Sequence, residues 1–259
     1  MDGSQRLDPL LCVNLFDNRK EGNLQKILLI NLNTRWFGIR AWDDIPYGLC
    51  ILKAALKDKY NVKILDANFN NLNEQELKEK SLEYSPDVIG ISCMSMEYKK
   101  TLIRTAQLLK EVLPEVPVVV GGIYPTLLPE EIICENGIDY VVMGEGEFRF
   151  DKLLQYFKNK TFSIERIDGV AYKKNNGFVV QKVKYYIEDL DIVPFPDYSE
   201  LDYQAYSSVA TKYVHYIHPM RFPYGRIITS RGCPFDCIFC SSKLINGGKP
   251  QYFYFEVIL

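Results

Sequence analysis

The feature that most constrains this chain is a repeated alternation of short, largely apolar runs with longer segments of helical spacing. The runs are Lys26-Ile-Leu-Leu-Ile-Asn-Leu32, Val62-Lys-Ile-Leu-Asp66, Asp87-Val-Ile-Gly-Ile-Ser92, Val116-Pro-Val-Val-Val120 and Ile138-Asp-Tyr-Val-Val-Met143. Between them lie Tyr47–Lys57, Asn73–Tyr84, Thr101–Leu113 and Pro129–Asn136, and a last helical segment runs from Gly144-Glu-Gly-Glu147 through Phe157. In the third of these segments Leu102, Ala106, Leu108, Leu109 and Val112 fall on the inner side. Short strands without polar alternation are buried on both faces. Strands that alternate with helices pair in parallel through crossovers of one hand. The expectation is an α/β fold over residues 23–158, an open, doubly wound parallel sheet of the Rossmann or flavodoxin kind.

After residue 160 the pattern changes. Ile167-Asp-Gly-Val-Ala-Tyr172 and Phe178-Val-Val-Gln-Lys-Val183, joined across Lys173-Lys-Asn-Asn-Gly177, predict a β-hairpin with an Asn-Gly turn. Asp189-Leu-Asp-Ile-Val-Pro-Phe-Pro-Asp197 is acidic and punctuated by proline, as an interdomain linker would be. Tyrosines cluster from 198 to 224, and Arg226-Ile-Ile-Thr-Ser230 predicts one more strand. The expected division is an irregular leader over 1–22, the doubly wound domain over 23–158, hairpin and linker over 159–225, and a further unit starting at 226.

At 259 residues and 47% hydrophobic content the chain can bury one good core and part of another. A formal charge of −2 gives no electrostatic reason to expect nucleic acid as a partner. No apolar run approaches the roughly 18 residues that a membrane span needs. The N-terminal Met1-Asp-Gly-Ser-Gln-Arg-Leu-Asp lacks the basic and apolar regions of a secretory signal, so a cytoplasmic location is expected.

Seven cysteines fall into two groups. Cys12, Cys50, Cys93 and Cys134 are scattered in apolar surroundings and are expected to be small buried hydrophobes. Cys233, Cys237 and Cys240 are bunched as Cys-x3-Cys-x2-Cys directly after the predicted strand. An odd count without a secretory signal argues against a disulfide framework. Thiolates are the usual protein ligands of iron–sulfur clusters, and three on one loop can hold three irons of a [4Fe–4S] cube, leaving one iron open. The alternative is structural zinc, which prefers four ligands in paired sets. The x3 spacing and the lack of a nearby fourth cysteine count against it, although His215 and His218 lie upstream.

Ser230-Arg-Gly-Cys-Pro-Phe-Asp-Cys-Ile-Phe-Cys-Ser241 resembles the signature of radical S-adenosylmethionine enzymes. The resemblance implies that the open iron chelates the amino and carboxyl groups of S-adenosylmethionine. It also implies that an injected electron, from a donor such as flavodoxin or ferredoxin, breaks the sulfonium C–S bond. It places Phe239, the residue before the third cysteine, beside the adenine; ordinary packing is the competing reading for that ring.

The upstream domain is similar to the cobalamin-binding domain that precedes many radical enzymes. The matching pieces are Pro46-Tyr-Gly-Leu49, Asp87-Val-Ile-Gly-Ile-Ser92, Gly121-Gly-Ile-Tyr-Pro-Thr126 with Pro129-Glu130, Gly144-Glu-Gly-Glu147, and Leu190-Asp-Ile-Val-Pro-Phe-Pro196. Together with the cysteine loop the likeness spans roughly residues 25–245. It implies cobalamin at the carboxyl ends of the strands. Ser92 and Ser95 would donate to its nucleotide tail, and Gly121, Gly122 and Gly144 would let the backbone approach it. The competing reading of these glycines is tight turns. Glu145 and Glu147 are expected to be helix N-terminal charges, favoured by the dipole. Cobalamin domains of the methionine-synthase type ligate cobalt through Asp-x-His-x-x-Gly, but this chain has no histidine before His215. Cobalamin would bind here without that ligand.

The radical enzymes it resembles carry a full or partial β/α barrel, and Arg226–Leu259 has room for little more than the first strand, the cluster loop and part of a helix. The resemblance therefore implies a missing C-terminal barrel segment. The leading expectation is a cobalamin-dependent radical enzyme acting on a small molecule by methyl transfer, cyclisation or rearrangement. The alternatives are a non-catalytic cobalamin-binding module and a radical methylthiotransferase, whose further cluster cysteines would sit at upstream strand ends, where only Cys93 falls.

Overall fold

A computed structural model describes residues 25–39, 44–159, 162–175, 177–202, 204–206 and 228–253. Its centre is a seven-stranded sheet in the order β2-β1-β3-β4-β5-β6-β7. The strands are β1 (Lys26–Asn31), β2 (Asn61–Asp66), β3 (Val88–Ser92), β4 (Val118–Gly121), β5 (Tyr140–Val142), β6 (Val170–Lys174) and β7 (Gly177–Val180). The first five pair in parallel, as the alternation predicts. In β1, Ile27, Leu28, Leu29 and Ile30 are at most 1% exposed, so this strand is the floor of both cores.

The helices are α1 (Tyr47–Leu56), α2 (Glu74–Tyr84), α3 (Lys99–Val112), α4 (Ile123–Leu127), α5 (Pro129–Ile133) and α6 (Gly146–Asn159). Leu77 of α2, Leu102, Ala106 and Leu109 of α3, and Ile132 and Ile133 of α5 pack on one face of the sheet. Leu49, Cys50 and Leu56 of α1 and Phe150, Leu153 and Leu154 of α6 pack on the other. Two covered faces make the sheet doubly wound. Capping is explicit at α2. There Asn73 Oδ1 accepts the Glu76 N–H at 3.0 Å and Glu76 Oε2 accepts the Asn73 N–H at 2.8 Å, a reciprocal capping box.

The hairpin joins this sheet. β6 pairs antiparallel with β5 and β7 antiparallel with β6. Its turn lies one position earlier than an Asn-Gly turn would put it. Lys174 pairs with Gly177, and Asn175, which follows Lys174, takes φ 52°. Asparagine tolerates that left-handed conformation, and the twist of a two-residue hairpin loop requires it.

The acidic, proline-marked stretch is strapped to the domain. Leu190 and Val193 are buried. Asp197 pairs with Lys57 at 2.9 Å and Glu200 with Lys53 at 2.9 Å. Glu200 Oε2 also accepts the Ile64 N–H at 3.0 Å, which satisfies a donor on edge strand β2. Most of the tyrosine cluster, both histidines and the predicted 1–22 leader lie outside the described residues.

Beyond residue 228 the described chain forms β8 (Ser230–Arg231), α7 (Ser242–Asn246) and β9 (Gln251–Tyr252). The strand expected over 226–230 is described only from residue 228. It pairs antiparallel with β9 in a two-residue ribbon, where a barrel strand would pair in parallel. The chain reverses at Gly247, whose φ is 80°. It then returns so close to Gly232 that a Cβ there would stand 2.3 Å from the Lys249 carbonyl oxygen. Cys50 and Cys93 are buried as expected, but Cys134 is exposed. It follows the last residue of α5, where the chain turns outward. Cys12 lies outside the described residues.

Candidate functional site: a cavity at the strand ends and a cysteine loop

A cavity of about 290 Å³ opens at the carboxyl ends of β1, β3, β4 and β5, on the face covered by α1 and α6. Its floor is the sheet, at Leu29, Gly90 and Val119, and its sides are Leu49 and Leu52 of α1 and Phe150 of α6. The missing side chain of Gly90 creates part of this space. A Cβ there would come within 2.9 Å of Leu29 Cδ2 and 3.4 Å of Phe150 Cζ.

Four of the sequence-predicted residues meet in this wall: Ser92, Gly121, Gly122 and Gly144. Gly122 has φ 103°, and a Cβ on it would stand 2.6 Å from the Cys93 carbonyl oxygen, so the position needs glycine on backbone grounds as well. Thr126 ties the loops after β4 and β5 together, donating to the Gly122 carbonyl at 2.7 Å and accepting the Gly144 N–H at 2.9 Å. Ser95 is outside the wall, and its hydroxyl accepts the Glu97 N–H at 3.3 Å, capping a short 3-10 turn. Thr126→Val keeps the shape and removes both hydrogen bonds. It is expected to cost about 2 kcal/mol in chemical denaturation, at about 1 kcal/mol per bond; a change below 0.5 kcal/mol would show that the bridge is not holding these loops.

The cavity is roofed by the segment that carries the bunched cysteines, through Arg231, Ile245 and Asn246. Arg231 Nη1 lies 3.1 Å from Glu145 Oε1 and Arg231 Nη2 lies 2.6 Å from Glu147 Oε1. Burial works against the guanidinium charge, but Glu147 and Glu145 outweigh it and raise the Arg231 pKa. Glu147 does stand in the first turn of α6, as the dipole argument expects. What the sequence reading missed is the partner. The complementary charges of Gly144-Glu-Gly-Glu147 and Ser230-Arg-Gly-Cys233 were the available signal.

On the cysteine loop itself Cys233 is partly exposed, and Cys237 and Cys240 are exposed. The Cys240 N–H donates to the Cys237 carbonyl at 3.1 Å. Phe235, Ile238 and Phe239 stand 71%, 103% and 89% exposed, so Phe239 makes no core contact that would explain an aromatic there. Among the described residues no three His, Cys, Asp or Glu side chains are gathered as a metal site. The donor set, three free thiols on one exposed loop, therefore fits a cluster by its chemistry, whereas the thiols are not preassembled around one. Cys93 differs in kind. It is fully buried, its thiol donates to the Ser95 carbonyl at 3.4 Å, and burial pushes its pKa up to about 12.

Residues 42–154 match the family described as B12 binding domain. An uncharacterized methyltransferase of Pyrococcus horikoshii is 32% identical over 206 residues, which cover 79% of this chain and 42% of that protein. The anaerobic magnesium-protoporphyrin IX monomethyl ester cyclase of Rubrivivax gelatinosus is 34% identical over 185 residues, covering 70% of this chain and 31% of that protein. The fold is shared with the radical S-adenosylmethionine methyltransferase TsrM from Kitasatospora setae, whose structure has cobalamin and a [4Fe–4S] cluster bound. The TM-score is 0.71 at 21% identity, covering 90% of this chain and 45% of that one. The chain thus spans less than half the length of the relatives it matches. Over most of its length the chain is similar to these relatives, and residues 42–154 carry the B12 binding domain.

Proposed function

We propose that this chain is the cofactor-holding part of a cobalamin-dependent radical S-adenosylmethionine enzyme that methylates or cyclises a small molecule. One observation carries the reading: the cavity expected for the nucleotide tail is roofed by the same segment that bears Cys233, Cys237 and Cys240. One cofactor site therefore lies against the other.

The residues fit their groups in different ways. A cavity of about 290 Å³ is at the lower edge of ligand-site volumes, enough for a compact nucleotide tail and too small for a corrin ring. Ser92 would donate to that tail, and Gly121, Gly122 and Gly144 would let it pass close to the backbone. The corrin would lie outside the cavity, whose wall includes the exposed Met94. Cys233, Cys237 and Cys240 would ligate three irons, and Phe239 would stack on the adenine. When bound, these groups supply reductive cleavage of S-adenosylmethionine and a carrier for a methyl group, with the electron supplied by a flavodoxin- or ferredoxin-type donor. The protein's share is to bind, orient and exclude water. A reducing cytoplasmic setting suits three free thiols. The methylthiotransferase reading loses support because Cys93, buried and held as a thiol, is not presented as a ligand.

Electron paramagnetic resonance of cob(II)alamin bound to the chain tests the reading. With the nucleotide tail drawn into the cavity and no histidine before His215, no nitrogen should ligate the lower face of cobalt. The expected spectrum lacks nitrogen splitting. A resolved nitrogen triplet that persists with His215 and His218 both replaced by alanine would contradict the tail's place in the cavity.

A further inference from the structure

We propose that Arg231 is a positioning residue, a latch through which the cofactor cavity and the cysteine loop sense each other's occupancy. The inference rests on the cofactor assignment just made. Arg231 lies two residues before Cys233, and it is anchored on both sides. Its backbone pairs with Gln251 in the β8–β9 ribbon. Its side chain reaches Glu145 at 3.1 Å and Glu147 at 2.6 Å, the residues that open α6. All three side chains are nearly buried, at 11%, 3% and 8% exposure, and all three line the cavity. Glu145 is held in turn by the Ile187 N–H, which its Oε2 accepts at 2.6 Å.

A buried ion cluster of this kind adds little net stability, because desolvation offsets most of the Coulomb gain. Its distinguishing property is that it is seated or broken, with little between: an unseated guanidinium leaves two carboxylates buried without their counter-charge. Between the latch and the first cysteine stands only Gly232, at φ 81° and packed against the Lys249 carbonyl, so movement of Arg231 is passed to Cys233. A group filling the cavity touches the wall that seats Arg231. A cluster fixing Cys233 fixes the backbone two residues away. Each event favours the seated arrangement, and linkage then requires the same factor in both directions.

The test is titration of hydroxocobalamin, followed by absorbance, into the full chain with and without an anaerobically assembled iron–sulfur cluster. The ratio of the two dissociation constants is read, which cancels any direct effect of a variant on affinity. Wild-type protein is expected to bind cobalamin about tenfold more tightly with the cluster than without it, within the usual range of coupling between sites. In Arg231→Gln the ratio falls to about one, and Arg231→Lys, which keeps the charge, restores part of it. Glu147→Gln removes one arm of the latch along with the surplus negative charge, so it serves if Arg231→Gln folds poorly, and it is expected to give an intermediate ratio. A tenfold ratio surviving in both Arg231→Gln and Glu147→Gln, or a ratio of one in wild type, overturns the latch and leaves the cofactor assignment standing. Failure of the wild-type chain to take up cobalamin or iron at all overturns both.

Discussion

Replacing Cys233, Cys237 or Cys240 singly with alanine is expected to remove nearly all reconstituted iron while leaving the folded domain intact. Three thiolates would hold three irons of the proposed cube, so removing one would leave two irons without a protein ligand. The fold should not notice. Cys237 and Cys240 are exposed, Cys233 is only partly covered, and the side chains around them on the loop face solvent. Substitutions in such places change stability by less than about 0.5 kcal/mol. Iron and sulfide analysis beside a denaturation curve separates the two effects. Each variant should melt with wild type, lose the absorbance of the cluster, and still take up cobalamin at saturating concentration. A Cys237→Ala chain that kept its iron would remove that residue from the ligand set.

The second large effect is expected at Gly90. Gly90→Leu puts a side chain between Leu29 and Phe150, into the space the nucleotide tail would use. The first contact is with the tip of the Leu29 side chain, which can move aside, so overpacking should cost about 1–3 kcal/mol and the sheet should persist. Cobalamin affinity is expected to fall about 100-fold or more, about 2.7 kcal/mol of binding free energy. Gly90→Ala, which asks only for a small shift of Leu29, should fall in between. Iron binding at the loop should survive both. Unchanged cobalamin affinity in Gly90→Leu, measured on folded protein, would place the cofactor elsewhere.

The contrast between these two sites explains how much could be read before the structure. The parallel sheet was legible because its strands are local, continuous apolar runs, and the cysteine motif because its spacing lies within one loop. Helix α4 was not. Pro125 reads as a breaker, yet it occupies the third residue of the helix, where no intrahelical N–H is required. The attachment of the hairpin to β5 was hidden as well. Local alternation predicts two strands but says nothing about the edge on which they land. Gly90 was visible only as one residue in a buried strand. Its function as the opening of a cavity depends on Leu29 and Phe150, which lie far from it in sequence. The least legible feature was the ion cluster. Arg231 meets Glu145 and Glu147 across separations of 86 and 84 residues, and no periodicity encodes a pairing of that kind. The strap through Asp197 and Glu200 likewise reads as a linker in sequence, because its partners Lys57, Lys53 and Ile64 stand 140 or so residues away.

The central claim is that this one chain carries adjoining sites for cobalamin and for an iron–sulfur cluster. Cobalt and iron content measured after anaerobic reconstitution with iron, sulfide and hydroxocobalamin, followed by gel filtration, tests it most directly. The account predicts near-stoichiometric cobalt and about four irons per chain, the latter from the cluster type. Protein that emerges folded but free of cobalt, or that holds iron equally well with Cys233→Ala, would contradict it.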